Sequence, residues 1–187
     1  HLFDKIAFDA MKKDDLDLFL TSRQEKIKKE LGQRVGGVSV IETKMEDDPN
    51  GLIDDTEEKI RLLINKTLSV KNNDYWETLI PQGIKEKVKE KIEQHIQKHP
   101  NEASVKRDGS NKLSFCDVMD YYEIIVSRVN WSDFENRFVK KTELEKHFLN
   151  FKEYRNCIKH SRAMNNVIRK QGEASLEWIY ALLQNPN

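Results

Sequence analysis

Residues 142 to 160 read Thr-Glu-Leu-Glu-Lys-His-Phe-Leu-Asn-Phe-Lys-Glu-Tyr-Arg-Asn-Cys-Ile-Lys-His. At about 100° per residue, Leu144, Phe148, Phe151, Tyr154 and Ile158 fall on one side of a helix and form a face that must be buried. Thr142 and Glu145 have the spacing of a capping box at its start. Asn156 and His160, four residues apart, share a second direction with Leu149, away from the apolar stripe. That direction suits a self-association seam or a binding cleft. Arg155 falls on the apolar side, near Phe148 and Phe151. A guanidinium there needs a partner or a path to the edge, because burying a lone charge is costly. Glu173 and Asp120 are the candidate internal partners.

Outward from this helix the chain keeps the same period. Asn130-Trp131-Ser132-Asp133 opens a short helix whose Phe134 and Phe138, with Trp131, close one end of the core. Ser114 caps a core helix with Asp117 at N3, and Phe115, Val118, Tyr122, Ile125 and Val129 recur at intervals of three and four. Pro100 to Lys112 is a polar surface loop. Pro81 suits the first turn of a helix running to about Lys98, which buries Ile84, Val88, Ile92 and Ile96 and wets its remaining sides with Lys and Glu. Tyr75-Trp76 and Leu79-Ile80 form an apolar knot before it. Asp54 or Asp55 caps a helix presenting Ile60, Leu63, Ile64 and Leu68, with Glu57 and Glu58 in its first turn. Beyond the central helix, residues 161 to 169 are polar and residues 172 to 183 form a broadly apolar terminal helix.

No segment sustains a period of two, so the fold class is all-α, a bundle of four to five helices. Residues 1–34 carry two short apolar helical patterns, expected to be a helical extension or the end of an upstream domain. Gly36-Gly37, the acidic run at Glu46-Asp47-Asp48 and Pro49-Asn50-Gly51 mark residues 35–53 as a linker, with an extended stretch at Val38 to Ile41. Residues 54–187 are the helical domain. A chain that opens on His1 is expected to be a piece of a longer polypeptide.

Lys and Arg number 32 and so do Asp and Glu, for a formal net charge of zero. Such a chain has no long-range field to gather nucleic acid or acidic membrane, so any polyanion must be held by a local patch. Lys152, Arg155, Lys159, His160, Arg162, Arg169 and Lys170 make one basic neighbourhood around the central helix, in which Lys152, Lys159, Arg162 and Arg169 are candidate nucleic-acid contacts. No apolar run has the length a bilayer demands and no secretory pattern opens the chain, so a cytoplasmic protein with no membrane partner is expected. Cys116 and Cys157 lack paired-motif spacing and read as reduced thiols.

Several other features point away from chemistry. His95 and His99 have the spacing of a metal pair, but no Glu follows His95, Pro100 comes at once and no third ligand is in view, so they read as a solvated helix end. His147 reads as a surface histidine. Trp76, Trp131 and Trp178 have apolar neighbours and read as core. There is no phosphate-binding glycine loop and no nucleophile elbow, and neither metal nor cofactor is expected.

Arg155-Asn156-x-x-x-His160 resembles the Arg-polar-x-x-x-His signature of the HEPN (higher eukaryotes and prokaryotes nucleotide-binding) superfamily. The motif ends a late helix, a polar loop follows, and Gly172-Glu-Ala-Ser-Leu-Glu-Trp-Ile179 opens the last helix. Residues 54 to 184, including Tyr75-Trp76 through Pro81 and Val129 through Phe134, look like the Swt1-type branch. The resemblance implies a helical domain that dimerises through the motif helix and, in active members, forms a metal-independent endoribonuclease site. Carried over, Arg155 stabilises charge on the phosphate, His160 transfers a proton and Asn156 orients the site. The alternative is a catalytically silent module for dimerisation or nucleic-acid binding.

The chemistry agrees with this. RNA carries its own nucleophile, so scission needs a base that titrates near neutrality, a cation against the developing phosphorane charge and a fixed geometry. One helix presents Arg155 and His160 about 140° apart, so a two-fold pair of copies converges on one phosphate more readily than one copy does. Residues 1–34, with Asp15-Leu-Asp-Leu-Phe-Leu-Thr-Ser-Arg23, also look like the end of the nuclease-associated domain of GmrSD-type restriction proteins. That implies an anti-phage defence or toxin-like setting, with other domains of the parent polypeptide or a defence-system partner nearby.

Overall fold

The computed structural model describes residues 48–105, 107–138 and 140–184. The expected extension at 1–34, the extended stretch at 38–41 and most of the expected linker lie outside them. The described residues form α1 (Pro49–Lys71), α2 (Tyr75–Leu79), α3 (Gln82–Lys98), α4 (Gly109–Leu113), α5 (Val118–Val126), α6 (Trp131–Phe138), α7 (Lys141–Lys159) and α8 (Asn166–Gln184), with a 3-10 turn at Pro100–Glu102. No strand occurs among them, and the class is all-α as expected. None of the helices is long and apolar enough to cross a membrane.

The core is the packing of α7 against α8, α5 and α1, with α1 also against α5 and α8. From α7 it takes Leu144, Phe148, Phe151, Tyr154 and Cys157, of which Phe148 and Phe151 are fully enclosed. Burying a side chain of that size contributes about 2 to 3 kcal/mol. Cys157 takes the place expected for Ile158, which is half-buried. The reason is the position of α8, whose seam runs along Tyr154, Asn150 and His147 and so covers the side of α7 that carries Cys157. Since Tyr154 meets Gly172 while His147 meets Ser175 and Trp178, α7 and α8 run antiparallel.

α1 buries Ile53, Thr56, Ile60, Ile64 and Leu68 at intervals of three and four, with Leu52 beside them. It starts ahead of the expected Asp54 or Asp55. Asp48 Oδ1 accepts from the Gly51 N–H at 2.9 Å, and Pro49 sits in the first turn, where its missing N–H costs nothing. A Pro-Asn-Gly triplet that reads as a breaker therefore opens the helix, and Leu52 and Ile53 join the core.

α5 also starts elsewhere than expected. Asp117 and Asp120 form a reciprocal capping box, while the Ser114 hydroxyl donates to the Asn111 carbonyl at 2.7 Å and closes α4. The later start puts Val118, Asp120, Tyr121, Ile124 and Ile125 inside, leaves Phe115 and Tyr122 half-buried, and exposes Val129. The box expected at Thr142 and Glu145 does not form, because α7 begins at Lys141, with Thr142 already in its first turn. Instead Lys141 Nζ donates to the Val126 carbonyl at 2.8 Å and lies over the Trp131 ring. α8 begins at Asn166, ahead of the expected residue 172, because Asn165 Oδ1 accepts from the Ile168 N–H at 2.9 Å.

The remaining helices hold the sides of the core. Tyr75, Trp76 and Ile80 are buried as the apolar knot, and Phe134 and Phe138 are buried on α6. α3 buries Ile84 and Val88 only, with Ile92 and Ile96 half-covered. Its lysines fix it to the start of α5. Lys87 Nζ lies 3.0 Å from Asp120 and 2.6 Å from Asp117, and Lys91 Nζ lies 2.7 Å from Asp117.

Candidate functional site

The last two turns of α7 carry the motif, and the C-terminal end of that helix is built by a specific device. His160 is the cap residue and Ser161, with φ 50°, takes the left-handed conformation that glycine normally fills. The Arg162 N–H reaches the Cys157 carbonyl at 2.9 Å and the Ser161 N–H reaches Ile158 at 3.3 Å, which is the bonding of a Schellman motif. The turn leaves the His160 side chain exposed, with no hydrogen bond or ion pair among the described residues.

Arg155 behaves differently. Its Nε donates to Glu57 Oε1 on α1 at 2.9 Å and its Nη1 donates to Asn156 Oδ1 at 3.4 Å. The partners expected for it, Glu173 and Asp120, are not the ones used. Asp120 is buried at the head of α5 and bound to Lys87, and α1 places Glu57 closer. The pair is half-open: the Arg155 side chain is 31% exposed and that of Glu57 12%. The guanidinium thus leans over a covered carboxylate and keeps access to solvent, as snorkelling predicts.

α1 supplies an acidic row to the motif end of α7. Asp54 Oδ1 holds Lys159 Nζ at 2.7 Å, Glu57 holds Arg155, and Asp55 Oδ2 accepts from the Tyr180 hydroxyl of α8 at 2.9 Å. The order of these pairs shows that α1 runs antiparallel to α7. Of the four candidate nucleic-acid contacts, Lys159 is therefore paired within the chain. Lys152, Arg162 and Arg169 are exposed without an ion pair among the described residues. Leu149, 46% exposed, shares the outer face of α7 with Lys152, Asn156 and His160.

The structure thus places Arg155 and Asn156 in contact, and puts His160 one turn beyond Asn156 on the outer face of α7, in a direction different from that of Arg155. It also shows residues that the one-dimensional pattern does not reveal. Glu57 is one. A second group lies on the α7–α8 seam, where His147 stacks on Trp178 at 4.0 Å between ring centres and its Nδ1 lies 3.1 Å from Ser175 Oγ. Asn150 donates to the same hydroxyl at 3.2 Å. His147 is thus not the surface histidine expected. Burial holds its pKa below the ordinary 6.5, with Lys146 acting in the same sense and Glu143 against it. The small residues Gly172 and Ser175, three apart on α8, were the available signal of a close helix approach there.

At the far end of α3, His95 Nε2 bonds Glu102 at 3.0 Å and His99 caps the helix. No group of three or more His, Cys, Asp or Glu side chains that could hold a metal ion occurs among the described residues. Compared with known proteins, the chain matches no family model, no curated protein and no solved structure.

Proposed function

We propose that this chain is a metal-independent endoribonuclease module of the HEPN kind, belonging to a larger anti-phage defence or toxin-like protein. It acts as a two-fold dimer through the outer face of α7. The RNA 2′-hydroxyl is the nucleophile. His160 takes its proton as the oxygen attacks the adjacent phosphorus, and Arg155 faces the charge that builds on the phosphorane. The 5′-oxygen leaves with a proton, giving a 2′,3′-cyclic phosphate and a 5′-hydroxyl. No metal-bound hydroxide is required, because the substrate supplies the attacking oxygen.

The observation that carries this function is the state of the motif end of α7. An arginine held by its Nε, with its outer guanidinium edge open, stands one turn from an exposed histidine that has no partner among the described residues. Leu149 and Lys152 extend the same exposed face, where a second copy brings its own Arg155 and His160 into reach. Lys152, Arg162 and Arg169 are the cations available to flanking phosphates.

One observation favours the alternative, a silent dimerisation or nucleic-acid-binding module: Arg155 already has a carboxylate partner in its own chain. Incubation of the 187-residue chain with labelled RNA in EDTA, beside His160→Ala and Arg155→Ala, separates the two. Cleavage by the wild type that disappears in both variants is expected. RNA binding or dimerisation without cleavage selects the alternative, and cleavage that survives both changes removes the motif from the chemistry.

A further inference from the structure

We infer that Glu57 is a positioning residue for Arg155, selecting which edge of its guanidinium meets the scissile phosphate. The inference rests on the nuclease function proposed above and names a residue outside the motif, 98 positions from Arg155. A guanidinium carries five N–H donors and can present two of its edges to a pair of oxygens, either Nε with Nη2 or Nη1 with Nη2. Glu57 Oε1 occupies Nε at 2.9 Å, which closes the first of these edges. Asn156 Oδ1 takes one Nη1 proton at 3.4 Å, and Nη2 makes no hydrogen bond among the described residues. The open edge is therefore the end-on pair, Nη1 with Nη2, directed away from α1.

Glu57 is itself held. Arg61, one turn further along α1, lies 3.8 Å from its other oxygen and donates to the Tyr121 hydroxyl at 3.3 Å. Tyr121 is 1% exposed and donates in turn to the Leu113 carbonyl at 3.2 Å. A chain of contacts thus runs from the rigid core through Tyr121, Arg61 and Glu57 to Arg155. The carboxylate is shared by two arginines, so the trio keeps a net positive charge and an approaching phosphate still meets attraction. Glu57 sits on the side of the guanidinium opposite the open edge, where its negative charge orients the cation with the least repulsion of the substrate.

The test uses the full chain with Glu57→Ala, Glu57→Gln and Arg155→Lys, each checked for its unfolding temperature. In a proton–nitrogen spectrum the Arg155 Nε–H, identified by its loss in Arg155→Lys, is expected to be protected from exchange. Protection persists in Glu57→Gln, which keeps an oxygen acceptor, and disappears in Glu57→Ala. In RNA cleavage, Glu57→Ala lowers kcat by about a hundredfold, as expected when a catalytic group is misplaced by about 1 Å. Its KM changes little, and Glu57→Gln recovers most of the rate, a split that marks loss of a contact made in the transition state. Arg155→Lys, which has one point charge to serve both partners, is as slow as Glu57→Ala.

Wild-type cleavage with an unaltered rate in Glu57→Ala overturns the inference and leaves the nuclease function standing. A rate loss in Glu57→Ala that only follows its unfolded fraction, with Glu57→Gln equally impaired, overturns it as well. A wild type that never cleaves ends the nuclease function, and the positioning role falls with it.

Discussion

Gly172 of α8 lies against the side chain of Tyr154 of α7 so closely that a methyl group on it would overlap the Tyr154 Cβ and stand 2.6 Å from Cγ. Those are the atoms nearest the backbone, which cannot swing away. Gly172→Ala is therefore expected to push the two helices apart despite the better helix propensity of alanine, at a cost of about 1 to 3 kcal/mol. Urea unfolding of the variant should show a lower midpoint at an unchanged slope. An equal or higher midpoint would mean that the helices do not pack this closely.

Ser161 bears the opposite sign. Its φ of 50° is one that a side chain resists, and glycine meets no such resistance. Ser161→Gly should stabilise the chain by about 0.5 to 1 kcal/mol, because the relief of strain exceeds the added freedom of the unfolded chain. The same denaturation measurement checks this, and a loss of stability would show that the serine side chain makes a contribution beyond its backbone.

The His147 contact makes stability depend on pH. Burial lowers the pKa of His147 in the folded state below its ordinary 6.5, so the unfolded chain binds the proton first as the solution is acidified. The unfolded state then carries more protons than the native one, and stability falls as pH drops from the ordinary value to the depressed one. Between pH of about 7.5 and about 5.5 the wild type should lose more stability than His147→Gln, whose side chain does not titrate. Equal losses in the two proteins would place His147 outside this pH dependence.

RNA binding should distinguish Lys152, Arg162 and Arg169, which have no ion pair among the described residues, from the paired Lys159. On a single strand each phosphate contact contributes about 0.7 to the slope of log affinity against log salt. Lys152→Ala, Arg162→Ala and Arg169→Ala should each reduce that slope by about this amount in a fluorescence-anisotropy titration. Lys159→Ala should change it less, since Lys159 Nζ is bound to Asp54 at 2.7 Å, and Asp54→Asn should strengthen binding by freeing it. Four lysine and arginine changes with identical effects would contradict the pairing.

The division between the legible and the hidden follows the range of each interaction. The sequence by itself determined the all-α class, most of the buried faces of α1 and α7, though Leu63 and Ile158 are only half-buried, the apolar knot at Tyr75-Trp76 and the positions of Arg155, Asn156 and His160 on one helix. Those depend on periods of three and four residues and on burial of apolar surface, which are local and additive. Helix starts were less legible: Asp48 and Asp117 won over neighbouring cap candidates, with Leu52, Ile53 and Val118 buried as a result, and Asn165 opens α8 on a turn that is mostly exposed.

Only the tertiary structure decided that Glu57 rather than Glu173 or Asp120 receives Arg155, that Asp54 neutralises Lys159 and that His147 stacks on Trp178. Any of several carboxylates has the charge to pair with a guanidinium. Which one does is set by how α1 lies along α7, a relation that arises from the packing of the whole core and leaves no mark at either position in the chain.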